Sequence, residues 1–187
     1  KEGVSLPWKY ISGASEAGTQ FGTAVDVYGN YMVVGAPYDD NAGGVDSGMV
    51  YVYYGDGVTN WTFNRTLYSS IPHANDNFGI SVSTNGASTF VGNWGNDVAG
   101  QTSAGVAEVY TRSGSGTTAV WPHTQTLANQ SPGAYDFFGT SVSVNGSVAL
   151  VGAEWDDGHL GSAHVYEKTA GGWTLTGAAV PKDKAPK

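Results

Sequence analysis

The chain reads as an all-β protein that uses one structural unit three times, and three observations predict this. A sixteen-residue phrase returns in register: FGTAVDVYGNYMVVGA from Phe21, FGISVSTNGASTFVGN from Phe78 and FGTSVSVNGSVALVGA from Phe138. Each phrase is trailed by a Gly-x-x-x-Val-Tyr segment (48–53, 105–110 and 161–166) and then by a tryptophan, Trp61, Trp121 or Trp173. The composition suits hairpins, with 28 glycines and only 13% charged residues, because tight turns need residues that tolerate positive φ. A hydrophobic content of 40% is enough to build a core, and no helical periodicity competes with the strand pattern.

Each unit supplies four short strands. Strand a follows Phe-Gly and alternates apolar residues at period two, as in TSVSV over 140–144. Asn85-Gly86 and Asn145-Gly146, with Tyr28-Gly29-Asn30 in the first unit, mark the hairpin to strand b; Asn-Gly predicts a type I′ turn with positive φ at both central residues. Strand c is the Gly-x-x-x-Val-Tyr segment, and strand d opens at the tryptophan. WKYISGA from Trp8 reads as one further d-like strand, 8–14, the outer strand of a neighbouring unit. Four antiparallel strands every ~40–60 residues predict propeller blades. A lone four-stranded sheet cannot bury both faces, whereas face-to-face stacking can. Small residues on strand a (Ser81, Ser83, Ser141, Ser143) are expected at the crowded position near the axis. The competing architecture, a β-sandwich, does not call for an in-register repeat. The blades fall at about 21–70, 78–128 and 138–180 within a segment spanning 1–180, and 181–187 (PKDKAPK) reads as a flexible tail or linker. Propellers close with roughly four to eight blades. Three leave the ring incomplete, so the segment is expected to belong to a longer protein or to associate with its own copies.

The Phe-Gly opening, with Val-Gly-Ala-Pro closing strand b at Val34 to Pro37, resembles the FG-GAP repeat, the blade unit of the integrin α-chain propeller. The likeness covers roughly Phe21 to Val180. It implies a propeller-type fold and a binding or adhesion role at the cell surface or outside the cell. In integrin-type blades the loop between strands a and b often carries calcium; here that loop is a bare turn, so those sites carry over to no residue.

The acids are placed unevenly. The b–c loops hold Asp39, Asp40, Asp46, Asp97, Asp156 and Asp157, and the d–a connections hold Glu16, Asp76 and Asp136. In a meander these leave from one end, whereas Asp56 alone lies in a loop at the other. Repeated Asp-Asp after strand b makes Asp39, Asp40, Asp156 and Asp157 candidate ligands for Ca²⁺, a hard cation served by several oxygens; solvated turn carboxylates are the alternative. Tyr38, Trp94 and Trp155 sit just past strand b on the same rim. Rings beside carboxylates can hold a sugar, the ring covering its apolar face and the acids accepting its hydroxyls; packing between blades is the alternative. N-x-Ser/Thr sequons at Asn60, Asn64, Asn129 and Asn145 are candidate glycosylation sites in a secreted protein.

A net charge of −8 disfavours nucleic acid and anionic membranes. No nucleophile elbow, H-E-x-x-H or phosphate loop occurs, and a non-enzymatic role is expected. The expected function is an extracellular adhesion or binding module with an acidic, calcium-compatible loop face, recognising a protein or glycan. A subunit of an extracellular polymer and a carbohydrate-binding domain of a larger secreted protein are the two alternatives.

Overall fold

The computed structural model describes residues 17–55 and 60–181. Trp8 with the 8–14 strand, Glu16, Asp56 and tail residues 182–187 lie outside the described residues. The fold is all-β. The first sheet is a meander of β1 (Val25–Tyr28), β2 (Tyr31–Ala36), β3 (Met49–Gly55) and β4 (Trp61–Leu67). The second holds β5 (Val82–Thr84), β6 (Ser88–Asn93), β7 (Val106–Thr111) and β8 (His123–Ala128). The third holds β9 (Phe138–Asn145), β10 (Val148–Ala153), β11 (Ser162–Thr169) and β12 (Gly172–Ala179). All neighbours are antiparallel, and the three sheets are separate, as propeller blades require. Helix is nearly absent: at 156–159 Asp157 and Gly158 hold left-handed backbone angles, so the segment is a turn.

The sheets stack in chain order, and each seam is a core. Val33, Val50 and Val52 of the first sheet meet Phe78, Val82, Val91, Tyr110 and Trp121 of the second. Phe90, Ala107 and Val109 of the second meet Phe138, Val144, Ala149, Val151, Tyr166 and Trp173 of the third. Alternation places one face of each strand toward the preceding sheet and the other toward the next. The tryptophans act across the seams: Trp121 lies edge-on to Tyr31 at 5.3 Å, and Trp173 to Phe90 at 4.8 Å.

The repeated Gly of strand b has a steric cause. The Phe-Gly turn of each following sheet sits on it: any Cβ on Gly35 would strike the Gly79 carbonyl, and on Gly92 the Gly139 carbonyl. Ser81 Oγ donates to that Gly139 carbonyl at 2.7 Å. Polar side chains on strand a also reach backbone across the seams. Asp26 Oδ2 accepts from Thr84 N–H at 2.7 Å, and Ser83 Oγ from Val144 N–H at 3.1 Å.

Two expectations need correction. The hairpins are not type I′: Tyr28 pairs with Tyr31 and Asn145 with Val148, so Gly29-Asn30 and Gly146-Ser147 are the central residues, and only the glycines have positive φ. Glycine first is the requirement of the other primed turn, II′. The serines of strand a also differ among themselves. Ser81 and Ser83 are buried, but Ser141 and Ser143 are exposed because no sheet among the described residues follows the third.

Candidate functional site on the loop rim

The b–c loop of each of the first two sheets touches the d–a connection of the next, which fixes one rim. Asn75, Asn77 and Phe78 donate backbone N–H groups to Val45, Asp46 and Ser47 carbonyls; Tyr135, Phe137 and Phe138 donate to Thr102, Ser103 and Ala104. The register is the same at both seams because the loops are the same length. Asn75, Asn77, Tyr135 and Phe137 all hold positive φ to make these bonds.

The acids shape the loops. Asp39 is buried, and its Oδ2 accepts the Tyr51 hydroxyl at 2.5 Å. Asp40 Oδ1 accepts Asp46 N–H at 2.9 Å, and Asp97 Oδ1 accepts Ser103 N–H at 2.8 Å, the same bond six residues on in each loop. Asp156 Oδ2 accepts from Ser162 Oγ at 2.6 Å, and the hydroxyl also meets His164 Nε2 at 2.9 Å. Asp157 is exposed, at the left-handed position of its turn. Asp39–Asp40 and Asp156–Asp157 stand in the first and third loops with the second between them. Among the described residues no three His, Asp or Glu side chains gather as a metal-holding group.

Asp76 and Asp136 anchor the d–a turns. Asp76 Oδ2 accepts His73 N–H at 2.9 Å and Asn96 Nδ2 at 3.2 Å; Asp136 Oδ2 accepts Gly133 N–H at 2.6 Å. Burial pushes both carboxyls above the usual range, against the pull of those donors. Burial also pulls the His164 imidazole below its ordinary value, with nearby Asp156 and Asp136 opposing.

The stacking brings two of the three candidate ring platforms into one row. Trp94 lies 5.1 Å from Phe137, and Phe137 lies 5.0 Å from Trp155. Tyr135 flanks Phe137 at 6.1 Å, and His159 continues the row 4.5 Å from Trp155. Trp155 and Tyr135 are 43% and 52% exposed, so the row presents ring surface to solvent. Trp94 is pinned by its Nε1–H to Asn77 Oδ1 at 2.8 Å. Tyr38, half-buried in the first loop, stands apart from the row. Phe137 and Tyr135 were missed from sequence. The signal was YDFFG at 135–139, where the second unit has NDNFG.

The sequons divide by exposure. Asn60 and Asn145 are exposed; Asn64 is half-buried with its amide on the Thr117 carbonyl, and Asn129 is half-buried against Asp136. At the hairpin end a cavity of about 360 Å³ opens between the first two sheets. Arg112 there is occupied: its Nε donates to the Gly86 carbonyl at 2.6 Å and its guanidinium covers Tyr31.

The FG-GAP repeat model matches residues 12–53 and 121–166. Each matched span ends in strand c, and the second begins at Trp121, on the approach to the outer strand of the preceding sheet. The sequence repeat therefore bridges a seam. A search of curated proteins found no match. The FG-GAP repeat is a repeat and binding domain, not an enzyme family. The FG-GAP repeat model thus matches the chain over two spans, and the three four-stranded sheets of the described residues are consistent with partial β-propeller blades.

Proposed function

We propose that the protein is an extracellular, non-enzymatic adhesion or binding module that engages a glycan through the rim. The row Trp94–Phe137–Trp155 with exposed Tyr135 carries this reading. Rings in series cover the apolar faces of successive sugars, and the exposed Asp97 and Asp157 lie in the same b–c loops as Trp94 and Trp155. A net charge of −8 favours a neutral partner over an anionic one. Exposed sequons at Asn60 and Asn145 suit a secreted protein.

Trp155→Ala removes an exposed ring without touching a seam core. Glycan-array binding by the parent protein, lost in Trp155→Ala with an unchanged melting temperature, is the expected outcome. No array binding by the parent, or equal binding by the variant, would refute the glycan reading. A protein partner whose affinity falls in the same variant would keep the rim and change the ligand.

A further inference from the structure

The two internal seams repeat one joint, and among the described residues each end of the stack exposes one half of it. The socket half comprises strand b and c residues facing the next sheet, with two glycines that admit the incoming Phe-Gly turn. In the first two sheets Gly35 with Gly48, and Gly92 with Gly105, lie against the backbone of 78–79 and 138–139. In the third sheet the matching glycines, Gly152 and Gly161, meet only their own sheet and loop, and a cleft of about 300 Å³ lies between them. Leu150 there is 44% exposed, whereas its counterparts Val33 and Phe90 are wholly buried. Ser141 and Ser143 point into the same open face, with no partner equivalent to those of Ser81 and Ser83 among the described residues.

Among the described residues the plug half is bare at the other end. Phe78 and Phe138 are wholly buried in their seams, but Phe21 is 43% exposed. Val25 is 64% exposed, whereas its counterpart Val82 is 8%. Among the described residues a Cβ on Gly22 would meet nothing within 4 Å, whereas on Gly79 and Gly139 it would strike the preceding sheet. Val27 N–H, the counterpart of Thr84 and Val144 N–H, leans on its own neighbour, Asp26 Oδ1.

We propose that these faces join head to tail between two copies of the chain: Phe21-Gly22 of one copy seats in the Gly152–Gly161 cleft of the other. The occupant is a second copy because the same chain carries both halves of a joint it already makes twice internally. A head-to-tail contact closes if its rotation allows, and two copies of three blades make six, within the roughly four to eight at which propellers close. The rim loop of the third sheet, 154–160, is shorter than 37–47 and 94–104. It lends fewer carbonyls, and the glycine cleft and apolar face carry this joint. The proposal is independent of what the rim binds.

Light scattering after size exclusion, over a concentration series at physiological salt, tests it. The expected mass is twice the 19.4 kDa of one chain. Gly152→Ala fills the cleft with a methyl group that its own sheet tolerates. Val25→Asp puts a charge on the plug. Each alone is expected to weaken dimerisation about tenfold or more. Because the contact is head to tail, mixing the two variants leaves one intact joint and restores a 1:1 dimer. Monomer at every concentration overturns the proposal, as does a dimer indifferent to both changes. A dimer broken by each variant but not restored by mixing would also overturn it, by showing a like-to-like contact.

Discussion

Replacing Gly92 with alanine tests whether the repeated strand-b glycine is there to let the next sheet approach. A methyl carbon on Gly92 would lie 1.9 Å from the Gly139 carbonyl oxygen and 2.2 Å from Ser81 Oγ. An ordinary contact is about 3.4 Å or more, so one sheet must retreat by roughly 1.5 Å. Retreat stretches the Ser81–Gly139 bond of 2.7 Å and opens the core that Phe90 and Phe138 fill. Overpacking of this kind costs about 1–3 kcal/mol, and the lost bond adds about 1 kcal/mol. A total of about 3 kcal/mol corresponds to a melting temperature lower by roughly 6–12 °C for a chain of this size. The control is Gly152→Ala, whose methyl group would crowd only the hydroxyl of Ser141, the end of a side chain that can rotate away. Its cost is expected within about 1 kcal/mol, measured at dilution so that association does not contribute. Circular dichroism melts of the two variants decide it. Equal stability of Gly92→Ala and the parent, or equal loss in both variants, would refute the steric account.

Glu108 is buried in the first seam, where Ser69 Oγ (2.6 Å) and Ser70 N–H (2.8 Å) donate to its carboxylate, while the Tyr110 hydroxyl, 3.0 Å away, also lies 2.5 Å from the Tyr68 carbonyl. Glu108→Ala strands these donors and is expected to cost about 3 kcal/mol or more, read from urea denaturation; a loss below about 1 kcal/mol would count against the network. His164, 6% exposed, has its folded pKa held below 6.5 by burial. The unfolded chain therefore binds the proton first, so stability is full above pH 6.5 and falls, by at most about 1.4 kcal/mol per pH unit, as pH drops toward the folded value. His164→Gln is expected to flatten that slope between pH 6.5 and 5, and an unchanged slope would exclude His164 as its source. Asp76 and Asp136, raised by burial, titrate in the opposite sense: the folded state takes up their protons first, and their contribution is lost as pH rises from 3.8 through the folded values. Asp40 and Asp97 close their loops by backbone bonds, so Asp97→Ala is expected to cost about 1 kcal/mol and to do so equally with calcium or chelator present. A calcium-dependent shift in melting temperature would instead show the rim carboxylates acting as ligands.

The strands were legible in sequence because their signals are local. Period-two alternation, a glycine at each hairpin and a tryptophan near each outer strand depend on neighbours a few residues away, and all three sheets form where the repeated phrase puts them. The candidate site was legible only in part. Trp94 and Trp155 were visible as rim aromatics, but the ring between them, Phe137, comes from the d–a connection, 43 residues after Trp94. The Asp pairs looked alike in sequence, yet Asp39 Oδ2 accepts the Tyr51 hydroxyl whereas Asp40 Oδ1 accepts a backbone N–H of its own loop. Hydrogen-bond partners are set by the fold and not by spacing.

By itself the sequence determined that one unit recurs, how many strands it has and in what order, since each of these follows from short-range backbone and hydrophobic preferences. Only the stacking of the sheets decided which glycines are squeezed, which aromatics line up on the rim and which faces are left open. Those properties belong to contacts between sheets, where residues some sixty positions apart, such as Ser81 and Gly139, come within hydrogen-bond reach.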